Sequence, residues 1–79
     1  MNPTPSIDLI ATGANITRLR KASGLSVREV QVLLGLSAPQ AIYKWQAGDA
    51  LPTVDNLLVL ASILGVKMDA IIITASTVA

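Results

Sequence analysis

The sequence predicts an all-α fold, a compact bundle of about five helices, and three observations predict it. Apolar residues make up 52% of the chain, dominated by Leu, Ile, Val and Ala, with no Phe and a single Trp, a bias that suits helices better than strands. Gly and Pro are confined to a few places, where they punctuate segments of helical length. Between those breaks apolar residues recur at three- and four-residue spacing. With 79 residues the chain is one domain, and a domain of this size buries only about 60% of the surface its unfolded chain exposes, so its core must be efficient.

The elements follow in order. Residues 1–5 contain two Pro and read as a mobile lead-in to a domain over residues 6–79. Ser6 or Asp8 caps a first helix that runs to about Ser23 and stops at Gly24, with Ile16 and Leu19 on its apolar face and Arg18 and Lys21 turned away. Ser26 caps a second helix, Val27–Leu34, whose Val27, Val30 and Leu34 fall on one side. Gly35 ends it, because Gly reaches positive φ without steric cost. Ser37 is the next natural cap, and Pro39 fits the first turn of a third helix ending at Gly48. Thr53 caps a fourth helix, Val54–Leu64, closed by Gly65, and a short fifth, Met68–Ile73, completes the bundle.

Composition excludes several kinds of chemistry. With neither Cys nor His, the chain has no disulfide framework, thiolate metal site or imidazole general base. The carboxylates Asp8, Glu29, Asp49, Asp55 and Asp69 show no pairing at a plausible site, so no enzyme, metal or cofactor is expected. Net charge is only +1, but Arg18, Arg20, Lys21 and Arg28 cluster in the first third. The most apolar stretch, Leu57–Val66, is well short of the roughly 20 residues that cross a bilayer, and no signal-peptide pattern opens the chain. The expectation is a cytoplasmic protein with no membrane partner.

The third helix carries the functional signal. Projected at 100° per residue, it places Ala38, Ile42 and Trp45 on one side, with Gln46 at the edge, and Gln40, Tyr43, Lys44 and Ala47 on the other. The first set is a core face. The second is a row of hydrogen-bonding groups suited to a groove: Gln bonds bidentately to adenine, Lys donates to guanine or phosphate, and small Ala permits close approach. Most polar helix faces are simply solvated, so context decides. A helix ended by Gly, a tight turn and a following helix with Ile at its centre is the helix-turn-helix layout.

Fixed points along Ile16–Ile72 and just before it strengthen that reading. They are Gly13-Ala-Asn-Ile-Thr-Arg-Leu-Arg20, Gly24-Leu-Ser26, Gly35-Leu-Ser37, Gln40-Ala-Ile-Tyr-Lys-Trp-Gln-Ala-Gly48, Pro52-Thr53 and Leu64-Gly-Val66. In order and spacing the chain resembles the Cro/repressor-type (XRE-type) helix-turn-helix family. The resemblance implies a lambda-repressor-like DNA-binding domain over residues 6–79 and a small prokaryotic or phage transcriptional regulator, of repressor type. It implies that Pro39, Gln40, Tyr43 and Lys44 face bases of double-stranded DNA. Arg18, Lys21, Arg28, Ser37 and Ala47 are then candidates for phosphate contacts, aided by main-chain N–H groups at the starts of the second and third helices. Arg20 is expected to tie the first helix to the third through Gln46, which stands where the family often has an acid and can still accept a charge-assisted hydrogen bond.

Three further departures stand out. Gln31 occupies a position that is usually small, and the turn after Gly35 is one residue longer than the common form, which makes room for it. Val27 replaces a Gln common in the family, removing one side-chain phosphate contact.

Apolar surface is in surplus. Val54, Leu57, Leu60, Ala61 and Leu64 share one side of the fourth helix, Leu58, Val59 and Ile63 another, and the tail adds Ile71, Ile72, Ile73 and Val78. Large exposed apolar patches mark partner sites, so a homodimer through Ile71, Ile72 and Ile73 is expected. The alternative function is a protein-interaction module, or an antitoxin-like helix-turn-helix protein with little DNA affinity. Low charge and surplus apolar surface favour that alternative; Gln40, Tyr43 and Lys44 favour DNA.

Overall fold

The structure, a computed structural model, describes residues 5–76. Its elements run β1 (Pro5–Ile7), α1 (Leu9–Ala22), α2 (Val27–Leu34), α3 (Gln40–Ala47), α4 (Val54–Leu64), α5 (Met68–Ile71) and β2 (Thr74–Ser76). Five helices form the bundle, with α1 packed on α3 and α5, and α4 packed on α2 and α5.

Local chemistry sets the helix ends. Asp8 accepts from the Ala11 N–H at 2.9 Å, and Thr53 from the Asn56 N–H at 3.3 Å. Ser26 and Glu29 form a reciprocal capping box, each accepting the other's backbone N–H at 3.0 Å. Four helices close with the same pair of bonds, the residue after the glycine donating five residues back: Leu25 to Arg20, Leu36 to Gln31, Asp49 to Lys44 and Val66 to Ala61.

The core lies where these helices meet. Ile16, Val30, Ile42, Leu60 and Ile71 are no more than 2% exposed, and Trp45, Ala61 and Leu64 join them. Fully burying one such aliphatic side chain stabilises by about 1.5–3 kcal/mol, so this cluster, more than helix propensity, holds the short helices together. The periodic faces predicted for the first and second helices match it: Ile16 and Val30 are buried, with Leu19, Val27 and Leu34 packed against them.

Three expectations change. The fifth helix ends at Ile71, and Ile72 is already extended at φ −78°, ψ 122°. The run Ile71–Thr74 is β-branched throughout, which favours extended backbone. Ile71 itself is 0% exposed, a core residue with no surface to offer a second copy, because α1 and α4 close over α5. Val54, placed on the core side by projection, is 73% exposed at the first position of α4.

The antiparallel ribbon is new. Pro5, Ser6 and Ile7 pair with Ser76, Ala75 and Thr74, and Ser6 Oγ adds a bond to the Ala75 carbonyl at 3.3 Å. A two-stranded ribbon is marginal alone. Here α1 anchors it: the Asp8 N–H donates to the Ile73 carbonyl at 2.8 Å, and Thr12 Oγ1 accepts from the Ile73 N–H at 2.9 Å while donating to its carbonyl. Of the lead-in expected over residues 1–5, only Pro5 is described, in β1; Val78 also lies outside the described residues.

Candidate nucleic-acid interface

The α2–turn–α3 unit is built from the end of α2. Gly35 adopts φ 71°, ψ 26°, and the Gln31 carbonyl accepts from the Leu36 N–H at 3.0 Å. The Gln31 side chain then donates to the Leu36 carbonyl at 3.3 Å, so this large residue is used to fasten the turn. Gly35–Pro39 reverses the chain, and α3 begins at Gln40 with Pro39 as the flanking residue at φ −84°, ψ −5°.

The two faces of α3 separate as projected. Ile42 and Trp45 are 0% and 4% exposed. Gln40, Tyr43, Lys44 and Ala47 are all exposed, Tyr43 by 55%. Ala38 is a correction: it is exposed in the turn before the helix, where helical projection does not apply. Ser37 is another: it lies outside the helix start, and no side chain caps α3. The first-turn N–H groups of α3 are therefore free of side-chain competition, which suits an anion. At α2 the capping box instead places the Glu29 carboxylate beside the helix start, with its pKa below the usual carboxylate range, chiefly through the Ser26 backbone N–H and then the Ser26 side chain.

Helix α1 fixes α3 at two points. Gly13 lies so close to the end of α3 that a Cβ there would meet the Trp45 and Gln46 carbonyl oxygens. Arg20 Nε donates to Gln46 Oε1 at 2.9 Å, and Nη1 to the Leu25 carbonyl at 2.8 Å, so one side chain joins α1, the turn before α2 and the end of α3. Gly48, at φ 79°, leaves α3 against the backbone of Ile10, where a side chain would collide.

The other basic residues divide. Arg18, Lys21, Arg28 and Lys44 are exposed. Arg18 is drawn elsewhere: Nε and Nη2 donate to Asn15 Oδ1 at 3.2 and 2.7 Å. Asn15 Nδ2 in turn donates to the Ala70 and Ile71 carbonyls at 2.9 and 3.0 Å, which directs Arg18 toward α5. Thr12 and Asn15, 1% and 8% exposed, are the structural residues that sequence reasoning missed. The available signal was a Gly and two backbone-competing polar residues inside one helix, each costly unless packing uses it.

A bundle of this topology, with an uncapped, outward-facing third helix after a Gly-ended second one, defines the class. The chain belongs to the helix-turn-helix family, whose profile matches residues 16–71. It is a domain of the Cro/XRE type, similar to the crystal structure of the restriction-modification controller protein C.AhdI from Aeromonas hydrophila, with 28% identity, a TM-score of 0.73, and coverage of 81% of this chain and 96% of that one. No curated protein matches it. The chain is thus a sequence-specific DNA-binding transcriptional regulator rather than a catalytic protein. Among the described residues no helix is long and apolar enough to cross a membrane.

Proposed function

We propose that α3 lies in the major groove and that Gln40, Tyr43 and Lys44 read base edges, with Pro39 approaching the same groove. The observation that carries this reading is the exposure of Gln40, Tyr43, Lys44 and Ala47 on one face while Ile42 and Trp45 anchor the other. A helix gripped on one side and polar on the other has its backbone already fixed, so that binding orders only the exposed side chains. Phosphates are held by the uncapped start of α3 near Ser37, by Lys21 and Arg28 on the flanks, and by close approach at Ala47. Arg18 is exposed as well and, with Nε and Nη2 on the neutral Asn15 oxygen, keeps its other donors for a phosphate.

The regulator acts as a twofold homodimer in the cytoplasm, presenting two α3 helices to half-sites about 34 Å apart. Support comes from α4, where Leu58 is 60% exposed beside a groove lined by Ala61, Ser62, Val66 and Met68, with Lys67 and Asp69 at its edge. An isologous contact brings such charges together across the axis. Of the three C-terminal isoleucines, only half-buried Ile72 and exposed Ile73 keep surface to contribute. By its likeness to C.AhdI, the genes controlled belong to a restriction-modification system, with repression wherever the site overlaps a promoter.

Selection of a binding site from random duplex DNA, followed by anisotropy titration, tests this function. Gln40→Ala and Lys44→Ala each weaken binding to the selected site by about 1–3 kcal/mol while circular dichroism stays unchanged. Unchanged affinity in both variants overturns the groove-reading assignment.

A further inference from the structure

We propose that Arg20 binds a DNA phosphate as well as fastening the fold, and that Gln46, being neutral, is what leaves its charge available. The proposal rests on the DNA-reading function above and assigns a contact beyond it.

The argument is one of donors and charge. A guanidinium has five N–H donors and stays protonated in proteins. Arg20 spends Nε–H on the Gln46 amide oxygen and one Nη1–H on the Leu25 carbonyl. The remaining three face no hydrogen-bond acceptor among the described residues, and the side chain is only half-buried. Both acceptors are uncharged, so the positive charge is solvated by dipoles and not cancelled.

Position matters as much as charge. Leu25 directly precedes the Ser26 cap of α2, and Gln46 lies in the last turn of α3. The guanidinium therefore sits where the chain entering α2 meets the end of α3. A carboxylate at position 46 would accept the same Nε–H bond and hold α1 to α3 at least as firmly, but would neutralise the cation. In a chain of net charge +1, one lost cation is a large share of the attraction to a polyanion.

The test is the salt dependence of binding to a labelled duplex, for the full chain and for Gln46→Glu. Each phosphate neutralised contributes about 0.9 to the slope of log K against log salt, so Gln46→Glu is expected to lower that slope by about one, with the melting temperature equal to or above the parent's. In an Arg20→Gln background, verified by circular dichroism, the same substitution changes the slope far less. Should Arg20→Gln fail to fold, the slope of Gln46→Glu alone decides. If the parent binds with a clear salt slope and Gln46→Glu keeps it, Arg20 is only structural and this inference is overturned while the groove reading stands. If the parent shows no salt-dependent binding at all, both fall.

Discussion

Gly13 occupies a buried position in mid-helix, where Gly costs about 1 kcal/mol relative to Ala, yet the end of α3 leaves no room for a methyl group. A Cβ at this position would press on the Trp45 and Gln46 backbone oxygens, which cannot swing aside as a side chain could. Gly13→Ala is therefore expected to destabilise by about 1–3 kcal/mol despite its better helix propensity, read as a lower denaturant midpoint. A stabilised variant would mean that α1 and α3 do not approach so closely. Single residues were legible where one helix contained the whole pattern: Ile42, Trp45, Gln40, Tyr43 and Lys44 all lie as projection placed them. They were illegible where the partner is remote. Asn15 meets Ala70 and Ile71, 55 and 56 residues away, and nothing near Asn15 in sequence announces those carbonyls.

Each of the longer helices depends on its ends, and α2 shows this most clearly. Its eight residues are too few to be helical alone, and its capping box satisfies two orphan N–H groups. Ser26→Ala removes the hydroxyl that accepts the Glu29 N–H while leaving the backbone N–H that donates to Glu29, costing about 1 kcal/mol by chemical denaturation. The same box carries a pH signature. Glu29 has a folded pKa below its ordinary value, so its contribution is complete above the ordinary carboxylate range and is lost as pH falls through the lowered folded value. Stability at neutral pH is insensitive to small pH changes, then declines in acid; Glu29→Gln should remove part of that decline in melting curves taken across the acid range. Helix ends were readable because caps and terminal glycines are local. The ribbon was not, since Pro5–Ile7 is exposed throughout and its partner strand comes about seventy residues later, leaving no alternating pattern to betray it. Ile71–Thr74 alternated no better, and only the β-branched run hinted that the last helix would be short.

For the whole molecule, the question is how a domain with net charge +1 holds DNA well enough to regulate. The pairing proposed above, through the exposed side of α4 around Leu58, would answer it, because two half-sites bound together multiply affinity without further basic residues. Leu58→Lys places a charge in the middle of that side. The variant should sediment as a monomer where the parent is a dimer, keep its helical spectrum, and lose most affinity for a two-half-site duplex but little for a single half-site. A parent that remains monomeric at high micromolar concentration contradicts the paired arrangement. Ile71 completes the core, so of the C-terminal isoleucines only Ile72 and Ile73 keep surface for such a contact.

That the exposed face of α3 reads bases is tested most directly by base-resolved loss of contact. Parent and Gln40→Ala are titrated against the selected site and against duplexes carrying each single base-pair change within it. Direct readout predicts that Gln40→Ala abolishes discrimination of about 1–3 kcal/mol at one base pair of each half-site while leaving the other positions intact. If Gln40→Ala and Lys44→Ala both preserve the parent's discrimination at every position, α3 is not the reading helix.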